Sequence, residues 1–198
     1  MDFGSWNINV TVGKYPQKIA SAISDLSIVG ASYTPIAYLG SQVVNGTNHA
    51  VLAEQILTTG KDTKNVVVMI FNERAEGVTL AAIERVVEQG GELGGTQVDV
   101  QTSIPVDALT VLNKALNDFV GSKIEPFALL GSQVVNGTNY IYAATLEPVV
   151  PNPIKRVVII VVNDKTGEIG ITDLLTDKTS SLSLGYAFTW LKSANTSI

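Results

Sequence analysis

The amino-acid sequence predicts two tandem α+β domains, each an antiparallel sheet wrapped across one α-helix. Three observations lead there. A nine-residue block from Gly40 to Asn48, Gly-Ser-Gln-Val-Val-Asn-Gly-Thr-Asn, recurs unchanged from Gly131 to Asn139, 91 residues on. A perfect repeat of that length in an otherwise divergent chain marks a duplicated unit, and half of 198 residues is enough to bury one modest core. Around each copy, one segment of helical period sits among several of period two. Each block also carries Asn-Gly, the strongest short-range hairpin signal. The predicted domains are residues 1–90 and 91–198.

The elements follow in the same order in both halves. Trp6, Ile8, Val10 and Val12 alternate as a first strand, and Val98 and Val100 do so in the second half. Ile19, Ala22, Ile23, Leu26 and Val29 then share a helical face, as do Leu109, Leu112, Leu116 and Phe119. Gly30 and Gly121 stand where a helix would end. The helical faces align at an offset of 90, Ile19 with Leu109, which predicts a one-residue indel before the hairpins. Strands are predicted over 36–44 and 127–135, closed by Asn45-Gly46 and Asn136-Gly137 in type I′ turns. Return strands (47–57, 138–146) and Val/Ile-rich central strands (65–71, 156–162) come next. A second turn follows in each half, at 72–77 and 163–168. Final strands start near Val78 and Ile169, although Leu80, Ile83, Val86 and Val87 also fit a helical face. Gln89 to Gly95 reads as a glycine-rich linker. Ser180 to Leu191, with Tyr186, Phe188 and Trp190, alternates as an extra strand without counterpart.

Composition narrows the function. A net charge of −5 with no basic run longer than Lys155-Arg156 argues against nucleic acid and against an electrostatic membrane anchor. The chain has no cysteine, which removes disulfides, a thiol nucleophile and thiolate metal sites. The N-terminal residues show no secretory pattern, and no apolar run is long enough to span a bilayer. A cytoplasmic, reducing compartment is expected, with secretion open if a leader was removed. No cofactor is implied.

The block itself carries a resemblance. Gln-Val-Val-x-Gly is similar to the first-hairpin signature of the cystatins, inhibitors of papain-like cysteine proteases. The run from Pro126 through Ser132-Gln133-Val134-Val135-Asn136-Gly137-Thr138-Asn139-Tyr140 most closely resembles the stefins, the cysteine-free branch. The resemblance implies a cystatin-like fold. It also implies reversible, non-covalent inhibition by a wedge of three elements: a glycine near the N-terminus, this hairpin and a second hairpin. The matching positions are Gln42, Val43, Val44, Asn45 and Gly46, and Gln133, Val134, Val135, Asn136 and Gly137. Gly4 and Gly95, equally 91 apart, match the N-terminal glycine. A narrow uncharged tip, ordered beforehand, suits a protease groove because little is lost on desolvation. The chain departs from the family in carrying Asn where alanine is usual, in lacking Pro-Trp in the second turn, and in its shorter helix.

Competing readings are blander. Two duplicated domains can share a block by descent alone, leaving a binding or structural module that self-associates through strand edges or domain swapping. No nucleophile–base constellation points to an enzyme. His49, the single histidine, reads as a surface strand residue beside the hairpin. Glu73 with Glu76, and Asp164 with Glu168, read as solvated turn charges, since they fall short of a calcium loop. The Asn-Gly-Thr triplets match the glycosylation pattern but read as incidental.

Overall fold

The computed structural model describes residues 4–58, 62–90 and 95–175. The elements of the first half are β1 (Trp6–Val12), α1 (Gln17–Ser24), β2 (Ala31–Val44), β3 (Gly46–Leu57), β4 (Thr63–Arg74) and β5 (Gly77–Glu88). Those of the second are β6 (Thr96–Gln101), α2 (Val106–Leu116), β7 (Ser122–Val135), β8 (Gly137–Pro148), β9 (Arg156–Asn163) and β10 (Ile169–Asp173). Neighbouring strands pair antiparallel into two five-stranded sheets, ordered β1-β2-β3-β4-β5 and β10-β9-β8-β7-β6. The chain divides into two compact units between Glu88 and Gln89. Among the described residues, no helix is long and apolar enough to cross a membrane. The predicted strand at 180–191 lies outside the described residues.

Strands dominate, and this corrects the predicted fold class. The protein is mostly β, and the cystatin-like α+β arrangement with a sheet wrapped across a helix does not form. Length is the reason. With 8 residues α1 is roughly 12 Å long, and with 14 residues β2 is roughly 46 Å long, so the helix covers only part of the sheet. Pro16 and Pro105 fix where the helices begin. Apolar spacing suggested that they continue to Val29 and Phe119, yet Val29 is fully exposed and Phe119 is exposed as well. Gly30 and Gly121 do take positive φ, 79° and 88°, but at the entries to β2 and β7 rather than as helix caps. Neither helix has a side-chain N-cap. Asp107 in its first turn and Lys114 in its last favour the dipole of α2, whereas α1 has neither and is shorter.

The repeats align less simply than predicted. Pro16 matches Pro105, and buried Ile19 matches buried Ala108, an offset of 89 rather than 90. On the first strands, Ile8 pairs with Gly40 and Val98 with Gly131, an offset of 90 between Ile8 and Val98. The hairpins keep 91. Length therefore changes both before and after the helix.

Each helix covers part of one sheet face. Ile19 packs among Tyr38, Val51, Val67, Met69 and Phe71. Ala108 and Leu112 pack among Leu129, Tyr142, Val158, Ile160 and Val162. The Tyr142 hydroxyl donates to the Ala108 carbonyl at 2.8 Å, tying α2 to β8, and burial raises the phenol pKa. β5 is a strand throughout. Its apparent helical period comes from two register shifts against β4, at Val66/Val67 and Ile70/Phe71, which set core-facing Val78, Leu80 and Ile83 at unequal spacing.

Leu112 is fully buried in the second core, so Leu112→Ala should cost about 2–5 kcal/mol. Peptide-resolved hydrogen exchange should then accelerate across 96–175 and stay unchanged across 6–88.

Candidate functional site

The two motif hairpins are built alike. Gln42 pairs with Asn48, Val43 with Thr47 and Val44 with Gly46, and the second repeat has the same register. The expected type I′ turns do not form, because they need positive φ at both central residues and only the glycines have it, at 93° and 94°. The register leaves a single residue at each tip, Asn45 or Asn136, and the next turn along the chain bonds to it. Asn72 Nδ2 donates to the Asn45 carbonyl at 3.3 Å, and Asn163 Nδ2 donates to the Asn136 carbonyl at 3.3 Å.

Behind each tip runs a ladder of side-chain amides across three strands. Asn48 Nδ2 donates to Gln42 Oε1 at 3.1 Å, and Asn72 Nδ2 donates to Asn48 Oδ1 at 2.7 Å. In the second repeat Asn139 Nδ2 donates to Gln133 Oε1 at 3.3 Å, and Asn163 Nδ2 to Asn139 Oδ1 at 2.8 Å. Gln42, Gln133, Asn139 and Asn163 are all buried. Amides suit this place because each is donor and acceptor at once, so a chain of them satisfies itself. The ladders then branch. Gln42 Nε2 donates to the Gly4 carbonyl at 2.6 Å, while Gly4 N–H donates to the Val43 carbonyl at 3.1 Å. Asn163 Oδ1 accepts from the backbone N–H of Lys165 at 3.0 Å and of Thr166 at 2.9 Å, which shapes the second turn.

The motif glycines sit where no side chain fits. A Cβ on Gly46 would lie 2.5 Å from the Glu73 carbonyl oxygen; one on Gly137 would lie 2.6 Å from Asp164 Oδ1 and 2.8 Å from Lys165 Cβ. The glycines that open the block are constrained from the other side. A Cβ on Gly40 would lie 2.3 Å from the Asn7 carbonyl oxygen, and one on Gly131 2.1 Å from that of Gln97. The backbones of β1 and β6 therefore approach β2 and β7 closely there, next to register irregularities.

Of the predicted site residues, Gln42, Gln133, Gly46 and Gly137 thus face inward or against the neighbouring turn. Asn45 and Asn136 are exposed at the tips. Val134 is 65% exposed, and Val43, Val44 and Val135 are half-buried. Gly4 lies beside its hairpin, but Gly95 is not its counterpart: the first-strand offset matches Gly95 with Ser5. The tips are flanked by charge. Lys165 Nζ donates to Asn136 Oδ1 at 2.6 Å, Asp164 Oδ1 accepts from Thr138 N–H at 2.8 Å, and Arg74 Nε donates to Asn72 Oδ1 at 2.8 Å.

His49 is not a surface residue as predicted. It is buried, with Nδ1 2.9 Å from the Tyr38 hydroxyl and Nε2 3.2 Å from Glu73 Oε2. Glu73 is not a free turn charge either: it also pairs with Lys18 at 2.5 Å, and this bond, with help from His49, holds its carboxyl below the usual range. The pair links α1 to β4 in the first unit only, because Tyr140 stands in the place of His49 and Asp107 in that of Lys18. Among the described residues no group of three His, Cys, Asp or Glu is placed to hold a metal.

Asn72 and Asn163 were missed as partners of the motif. Their signal was present: both are Asn, and they lie 91 apart outside the repeated block.

The glycine contacts predict an order of cost. Gly46→Ala meets a backbone oxygen at 2.5 Å, Gly137→Ala meets a movable carboxylate oxygen at 2.6 Å and the backbone-fixed Lys165 Cβ at 2.8 Å, and Gly77→Ala meets open space. All three have positive φ and share a strain of about 1–2 kcal/mol. Urea denaturation should therefore rank Gly46→Ala as the most destabilising and Gly77→Ala as the least. No protein-family model, curated protein or solved structure matches this chain.

Proposed function

We propose that the chain is a reversible, non-covalent inhibitor of papain-like cysteine proteases, not an enzyme, and that it acts through the hairpin ends of its two sheets. One observation carries this reading: each unit presents an exposed Asn at the tip of a hairpin held rigid from behind by buried amides. A tip ordered in advance loses little entropy when it enters a groove, and it needs no reactive side chain because no bond to the protease nucleophile forms. In the first unit the backbone of Gly4 lies against the same hairpin, adding a second strand end to the edge. The two units do not present the same surface. The second has exposed Val134 beside its tip and stands as the stronger binder. A cysteine-free chain suits a reducing compartment such as the cytoplasm, where stefin-like inhibitors would meet their targets.

The same ladder favours a second reading. Buried hydrogen bonds and close glycine packing account for Gln42, Gly46 and Asn48 and their repeats without any protease. On that reading the chain is a β-sheet binding or structural module, and the block persists because the hairpin needs it to fold.

Papain activity on a fluorogenic peptide separates the two. Charging the tips without touching the glycines, with Asn45→Glu and Asn136→Glu together, leaves the ladder intact. The inhibitor reading expects inhibition at micromolar wild-type protein and at least about ten-fold weaker inhibition by the variant, since a buried unpaired carboxylate costs well over 1.4 kcal/mol. No inhibition by the wild type, or equal inhibition by both, overturns it.

A further inference from the structure

The repeated block sets the same dipeptide at both tips, Asn45-Gly46 and Asn136-Gly137. In Asn-Gly the backbone nitrogen of the second residue readily attacks the side chain of the first, because glycine has no Cβ to obstruct the approach. The five residues before each Asn and the three after it are identical, so the two sites share one intrinsic reactivity. Both asparagines are exposed. Any difference in their chemistry comes from the fold.

The fold treats them differently. Lys165 Nζ donates to Asn136 Oδ1 at 2.6 Å. The same lysine lies against the next residue, since a Cβ on Gly137 would be 2.8 Å from Lys165 Cβ. It therefore stands beside both residues of the pair. Its counterpart 91 residues earlier is Arg74, whose Nε donates inward to Asn72 Oδ1 at 2.8 Å. Among the described residues, no group donates to the side chain of Asn45. The neighbouring acids differ too. Asp164 Oδ1 accepts from Thr138 N–H at 2.8 Å and stays beside the second tip, whereas the Glu73 carboxylate turns away to Lys18 and His49.

A cation on the amide oxygen changes what Asn136 can do. It draws electron density from Cγ, and it stabilises the negative charge that develops on Oδ1 when a nucleophile adds. Asn45 has no such help.

We infer that Asn136 is a site of spontaneous modification, an intramolecular deamidation assisted by Lys165. The Gly137 nitrogen gives its proton to solvent base, and its lone pair forms a bond to Asn136 Cγ. The oxyanion of the tetrahedral adduct is held by Lys165. The adduct collapses with cleavage of the Cγ–Nδ2 bond, and ammonia leaves after taking a proton from water. The resulting succinimide is opened by water at either carbonyl, giving aspartate or isoaspartate. Either product places a carboxylate at the exposed tip beside Lys165. Isoaspartate also lengthens the main chain by one carbon at a bend of a single residue. The second tip thus changes its charge with time sooner than the first, and it does so whether or not the chain inhibits proteases.

The full chain, held at mildly alkaline pH and sampled at intervals, reports both sites at once by mass spectrometry of its peptides. Asn136 should convert at least about five-fold faster than Asn45, a modest share of the 10²–10³ that a preorganised donor contributes in a water-excluded enzyme site. Lys165→Met keeps the side-chain length and removes the charge. It should bring Asn136 to the Asn45 rate while circular dichroism stays unchanged. In concentrated urea, where the fold is gone, the two sites should convert equally. Conversion of Asn136 no faster than that of Asn45 in the folded chain, or a Lys165→Met variant as fast as the wild type, would overturn the inference. So would a difference between the sites that persists in urea.

Discussion

A strand end that must not fray sets the terms for the rest of each unit. Two long strands, β2 and β3 or β7 and β8, run to a tip with a single bend residue between them, and a tip that tight leaves backbone carbonyls without ladder partners. The amide chain supplies them. Gln42, Asn48 and Asn72 pass hydrogen bonds from strand to strand, and Asn72 ends on the tip carbonyl of Asn45. Gln133, Asn139 and Asn163 do the same. The glycine follows from this geometry. The second turn approaches the tip so closely that no Cβ fits at Gly46 or Gly137. The nine-residue block therefore records one physical requirement, met twice.

Once the tips are held, the two units are free to diverge elsewhere. The first gains a Lys18–Glu73–His49–Tyr38 network that connects α1 to the hairpin end; the second instead docks its longer α2 with Leu112 and the Tyr142 hydroxyl. Exposed ion pairs of the Lys18 kind contribute little on their own, so the first helix rests mainly on Ile19 and its neighbours. Duplication kept the constraint at the tips and released it at the helix.

Much of the strand order was legible in the sequence, because period-two alternation and Asn-Gly are local signals. The central strands were clear for a related reason: Val66 to Phe71 and Val157 to Val162 are buried along their length and read as unbroken apolar runs. The fold class was misjudged because apolar spacing near a helix counts residues that pack after the helix has ended, as Leu26 does, and one that does not pack at all, Val29. The turn type failed because Asn-Gly propensity describes a two-residue loop, whereas here Val44 pairs with Gly46 and Val135 with Gly137, leaving one residue between the strands. His49 was misplaced for want of a visible partner, since Glu73 is 24 residues away and reaches it only across the β3–β4 pair. At the candidate site Gln42, Gln133, Gly46 and Gly137 face inward or against the neighbouring turn, which no linear motif can reveal.

The central claim is that the side-chain amides of the block are internal structure. Side-chain amide hydrogen exchange by NMR tests it most directly. The NH₂ groups of Asn139 and Asn163 should exchange at least about ten-fold more slowly than that of exposed Asn136, in keeping with hydrogen bonds buried in the sheet. Exchange of all three at the same fast rate would mean that the ladder does not form and that the repeated block is held for another reason.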